Sequence, residues 1–91
     1  MKLYVTSGNY QIVILAGDPL GAAYFVVNRF IDEEWGAGVR QKKVRKAIED
    51  EGFSDHFLVS EIGFGRHDAG KFLVADVVSE VSRFLDLFEE D

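Results

Sequence analysis

Tyr10-Gln11-Ile12-Val13-Ile14-Leu15-Ala16-Gly17-Asp18-Pro19 changes chemistry part-way along, and that change decides the fold. From Tyr10 to Ala16 the run is mostly β-branched, aromatic or apolar, the composition of a pleated, half-buried strand. Asp18 then offers a side-chain acceptor to the unpaired amides that open a helix. Pro19 follows at the first helical position, where its missing N–H costs nothing. A strand over 10–16 and a helix from Pro19 are the expectation.

Upstream, Lys2 to Thr6 is a second strand-forming run, and Ser7-Gly8-Asn9 between the two is turn chemistry, so the chain begins as a β-hairpin. Downstream, Leu20, Ala23, Tyr24, Val27, Phe30 and Ile31 recur at helical spacing, predicting a helix from Pro19 to about Trp35, stopped by Gly36-Ala37-Gly38. Taken alone, residues 22–27 also suit a buried strand; the Asp-Pro start favours helix. A second helix is expected from Val39 to Glu51, with a narrow seam of Val44, Ala47 and Ile48 and a stop at Gly52. His56 to Phe64 and Lys71 to Ala75 read as two further strands joined by the Gly-rich segment 63–70. Asp76 is placed as the cap of a last helix carrying Val77, Val78, Val81, Phe84, Leu85 and Phe88 on one face.

The order ββα-α-ββα predicts an α+β fold, one compact domain over residues 1–91, with an antiparallel sheet of about four strands and helices packed on one face. Both halves turn from strand to helix through similar residues, Ile14 to Asp18 against Leu73 to Asp76. Local corner chemistry suffices to produce so short a match.

The 91 residues include no Cys, which excludes disulfides and thiolate metal sites, and the N-terminal run lacks the shape of a signal peptide. The stretch from Pro19 to Asn28 is uncharged but far short of the roughly 20 residues of a spanning helix, so a soluble, cytoplasmic chain with no membrane contact is expected. The net charge is −6, yet Arg40, Lys42, Lys43, Arg45 and Lys46 fall within one heptapeptide. The molecule is an acidic body with one basic stripe. Those cations crowd the N-terminal half of their helix while Glu49, Asp50 and Glu51 close it, which opposes the helix dipole. Either the stripe clasps Asp32-Glu33-Glu34 or the acidic tail, or Arg40 to Lys46 form a binding patch for an anionic partner. Nucleic acid is not the expected partner of so acidic a chain.

Catalytic patterns are incomplete. Gly65 to Phe72 matches a phosphate loop up to its last position, where Phe72 replaces the hydroxyl that holds magnesium. His56 and His67 each adjoin a carboxylate but stand at opposite ends of a strand, so no metal or other cofactor is expected. Glu61 is read as a solvent-facing strand residue, and no serine lies in a nucleophile pattern. With eight Phe, three Tyr and one Trp, the chain has more apolar surface than a small one-sided sheet buries. The first expectation is therefore a non-enzymatic protein-interaction or self-association module that uses the open sheet face or an edge strand. A ligand site or enzyme at the Gly63–Gly70 loop and a binder of nucleic acid or another anionic partner at the Arg40–Lys46 stripe are the alternatives.

Overall fold

The computed structural model describes residues 1–31, 35 and 37–89. Its elements are β1 (Lys2–Ser7), β2 (Tyr10–Leu15), α1 (Pro19–Asn28), α2 (Ala37–Asp50), β3 (His56–Ser60), β4 (Gly70–Leu73) and α3 (Val74–Glu89). The fold is α+β, in the expected order, with one antiparallel sheet of strand order β2-β1-β3-β4.

Alternation along the strands sorts the side chains. Leu3, Val5, Ile14, Phe57 and Val59 share one face and are buried. Against them pack Ala22, Ala23, Val26 and Val27 of α1, Val44 and Ile48 of α2, and Val77, Val78 and Val81 of α3. Lys2, Tyr4, Thr6, Gln11, Val13, Leu15, Leu58, Lys71 and Leu73 fall on the other face by the same alternation.

The hairpin turn docks onto a distant segment. Gly8 has φ +59, and a Cβ there would stand 2.2 Å from the Gly52 carbonyl oxygen and 2.8 Å from the Ser54 nitrogen. Glycine at the first of two loop residues is what a type II′ turn requires, and here the space demands it as well. The Asn9 amide donates to the Gly52 carbonyl at 3.0 Å, and the buried Ser7 hydroxyl accepts the Ser54 amide at 3.1 Å. Gly52 in turn ends α2 as expected, with φ +84, its amide on the Glu49 carbonyl and the Phe53 amide on the Ile48 carbonyl.

Several boundaries differ from the expectation; α2 begins at Ala37, two residues before Val39 and inside the expected Gly36-Ala37-Gly38 stop, and β4 spans Gly70–Leu73 where Lys71 to Ala75 was expected. Helix α1 stops at Asn28 instead of near Trp35: the Arg29 amide is shared between the Phe25 and Val26 carbonyls, and Phe30 and Ile31 bond three residues back. That tightening carries the Phe30 ring onto Tyr10 and Phe53, at centroid distances of 5.7 and 5.5 Å. Strand β3 ends at Ser60, not Phe64, because the Ser60 hydroxyl accepts the amides of Ile62 and Gly63 and turns the chain away.

At the last corner, α3 begins at Val74, two residues before the expected cap. The Val74 amide donates to the Asp55 carbonyl at 2.8 Å, so the sheet itself satisfies the first helical residue and Asp76 lies in the first turn instead of capping. Asp18 does cap, its side chain accepting the Gly21 amide. The two corners are thus built differently despite their similar residues.

Two outcomes follow for denaturation experiments. Asp18→Ala should lose about 1 kcal/mol, whereas Asp76→Ala should lose less than about half of that, since it removes only a first-turn charge. Equal losses would contradict the capping difference. Gly8→Ala should lose about 2 kcal/mol or more through backbone strain and collision with residues 52–54; a loss below about 0.5 kcal/mol would mean that the turn is not docked.

Candidate functional site

The basic stripe divides. Arg40, Val44 and Ile48 lie four residues apart on one face of α2, and Arg40 follows the two apolar residues inward, to 2 % exposure. Its Nη2 donates to the Trp35 carbonyl at 3.4 Å. Lys42, Lys43, Arg45 and Lys46 are exposed, with the Lys43 ammonium 5.8 Å from the centre of the Trp35 ring. Counting charges missed Arg40's place; its phase relative to Val44 was the signal that could have found it. The proposed clasp carboxylates Asp32, Glu33 and Glu34, and the end of the acidic tail, lie outside the described residues. Among the described residues, recorded ion pairs join Arg66 to Asp68 and Arg83 to Glu80, and the i,i+4 pairs available within α2 do not close.

The Gly-rich loop is knotted from within. The Ser60 hydroxyl, fully buried, donates to Asp68 Oδ1 at 2.6 Å while accepting the Ile62 and Gly63 amides at 2.9 and 3.2 Å. Asp68 Oδ2 accepts the Glu61 amide, the Thr6 hydroxyl accepts the Gly65 amide at 2.9 Å, and the Ala69 amide bonds the Val59 carbonyl. A phosphate loop needs amides that face outward; within Gly65 to Phe72, those of Gly65 and Ala69 are bonded to the strands instead. The Ser60 oxygen has spent its lone pairs on amides and its proton on a carboxylate, so it is no nucleophile. Glu61 lies just beyond β3, exposed, rather than within the strand.

The hydrogen bond from Ser60 is the main reason that the Asp68 carboxyl titrates below its ordinary range; bonds from the Asp68 and Glu61 amides and the Arg66 charge add to it against a smaller opposing effect of desolvation.

His56 lines a furrow of about 540 Å³ along the β4 edge with Leu20, Tyr24, Lys71, Asp76 and Glu80. Neither Glu61, His67 nor Asp68 reaches it. His67 is exposed in the loop, and among the described residues no three His, Cys, Asp or Glu side chains gather as a metal site would need.

The second sheet face carries a different surface. Val13 and Leu15 succeed one another on β2, Val13 pairs across the ladder with Tyr4, and the Tyr4 ring meets Phe64 edge-on at 5.1 Å. Leu15 is 81 % exposed, Val13 43 % and Phe64 38 %. The loop 61–69 thus closes over one part of this face and leaves the rest open. Tyr10, Phe57 and Phe72 are turned to the helices by their register, so the aromatics do not form the continuous stacking platform of a single-strand nucleic-acid binder.

Comparison with protein-family models, with curated proteins and with solved structures finds no match to this chain. No helix among the described residues is long and apolar enough to cross a membrane.

Because the folded-state pKa of Asp68 lies below its unfolded value, its contribution to stability is present above the unfolded carboxylate range and is lost as pH falls through the folded value. Stability should therefore fall below about pH 4, and Asp68→Asn should flatten that part of the profile. Identical acid limbs for wild type and variant, measured by urea unfolding, would show that the knot carries no linkage.

Proposed function

We propose that this protein is a non-enzymatic interaction module that docks another polypeptide, either a second copy or a different protein, on the open face and edge of its sheet. The observation that carries this reading is the run Leu15, Val13, Tyr4 and Phe64, apolar side chains that touch or neighbour one another on the face away from the helices. A two-layer fold buries one sheet face by itself, and an apolar second face is free energy left for a partner. The inward-facing amides and saturated serine of loop 61–69 favour a structural role for that loop, bracing the open face from one side.

The surface can be probed directly. A Leu15→Lys protein should melt within about 2 °C of the wild type, because that side chain is 81 % exposed, yet bind an apolar fluorescent dye several-fold less. A wild type that binds no dye and gives a strictly monomeric mass by light scattering would remove the basis of the reading.

A further inference from the structure

The two free edges of the sheet are unlike. Strand β4 is four residues long, presents Lys71, and passes directly into α3; a Cβ on its Gly70 would lie 3.5 Å from Pro19 of α1. Such an edge is short, charged and flanked, the ways in which proteins prevent strand addition. Strand β2 is Tyr-Gln-Ile-Val-Ile-Leu, with no charge, no proline and no bulge in its six-residue register against β1, and among the described residues no strand pairs with its outer side.

The ladder determines which groups that edge offers. Met1 and Ala16 exchange both of their hydrogen bonds, at 2.9 and 3.0 Å. Alternation then directs the amides and carbonyls of Ile14, Ile12 and Tyr10 to β1, and those of Gln11, Val13 and Leu15 outward. Antiparallel pairing of two such edges about a two-fold axis has a best register. Centred on Val13, it sets Gln11 against Leu15 of the other copy, Val13 against Val13 and Leu15 against Gln11, and uses every outward group. Moving the centre to Ile12 or Ile14 leaves one residue of the three facing a turn or a corner.

We infer that β2 pairs with β2 of a second copy in the Val13-centred register, making one continuous eight-stranded sheet with the helices of both copies on the same side. This deepens the interaction reading above and rests on it. A second copy is favoured as occupant because the strand is complementary to itself. Each apolar side chain on the open face meets an apolar or amide side chain, and no like charges are opposed along the edge although each chain carries −6. Strand pairing alone buries less than the roughly 800 Å² per partner typical of stable complexes, so the dimer is weak and concentration-dependent.

Sedimentation of the wild type up to a concentration on the order of 1 mM should show a mass rising from 10.2 kDa towards twice that value. Val13→Lys, with Leu15→Lys as a second variant at a more exposed position, should keep the circular dichroism spectrum and weaken dimerisation at least roughly tenfold. Since the chain has no cysteine, Val13→Cys gives a clean proximity test: paired Val13 Cα atoms stand about 5.5 Å apart, within reach of a disulfide. Mild oxidation should yield a covalent dimer, whereas Leu73→Cys on β4 should stay monomeric. A wild type that remains monomeric throughout overturns the inference. So does a dimer that is indifferent to both lysine variants and leaves Val13→Cys uncrosslinked. Either result leaves the interaction reading standing if the open face still binds the apolar dye.

Discussion

The approach of the β1–β2 turn to the backbone of residues 52–54 is the constraint on which the other placements depend. Hairpin and β3 are separated by both intervening helices, so their register has no local cause. Gly8 lets the turn come within contact of Gly52 and Ser54, and the buried Ser7 hydroxyl exchanges hydrogen bonds with Ser54 two residues before β3 begins. From that point the ladder Thr6 to Leu58, Val5 to Val59 and Tyr4 to Ser60 follows residue by residue. A one-residue slip would turn Phe57 and Val59 out of the core and Leu58 and Ser60 into it.

The same junction arranges the apolar layer. Gly52 ends α2 just where Phe53 can enter the ring cluster of Tyr10, Phe30 and Phe57, which closes the helix side of the β2 end of the sheet. Phe30 joins this cluster from the tightened turn that ends α1. The helices bury Val26, Val27, Val44, Ile48, Val77, Val78 and Val81 against the sheet and one another, but Phe84, expected on the same face of α3, is 60 % exposed, and Phe25 and Leu87 also face outward. The sheet buries only one of its faces.

Two polar devices near the open face bear on function in opposite ways. The Ser60–Asp68 pair consumes the donors and acceptors that a reactive loop would have to leave available, and Thr6 fastens the same loop across the strands. The hydrogen bonds of this loop run inward, to its own residues and to β1 and β3. The outer edge of β2 is the reverse case, with outward amides and carbonyls set in a ladder and no partner strand among the described residues. Together they favour recognition by shape and backbone pairing over catalysis.

Much of this was legible in the sequence by itself. Turn chemistry at Gly8-Asn9, the Asp18-Pro19 start, the Gly52 stop and the spacing of apolar residues along α3 are local signals, and local signals determined the number, kind and order of the elements. The exposure of Glu61 was expected too, although it follows from the end of β3 at Ser60 and not from alternation within the strand. Tertiary structure decided what depends on contacts between remote residues. It buried Arg40 on the Val44–Ile48 face, ended α1 at Asn28, bonded Ser60 to Asp68, and let the Asp55 carbonyl take the place of an Asp76 cap at the start of α3. It also placed β1 between β2 and β3, and so left β2 at an edge. Pairing over some fifty residues is selected by burial and closure of the whole sheet, a free energy that no window of sequence contains.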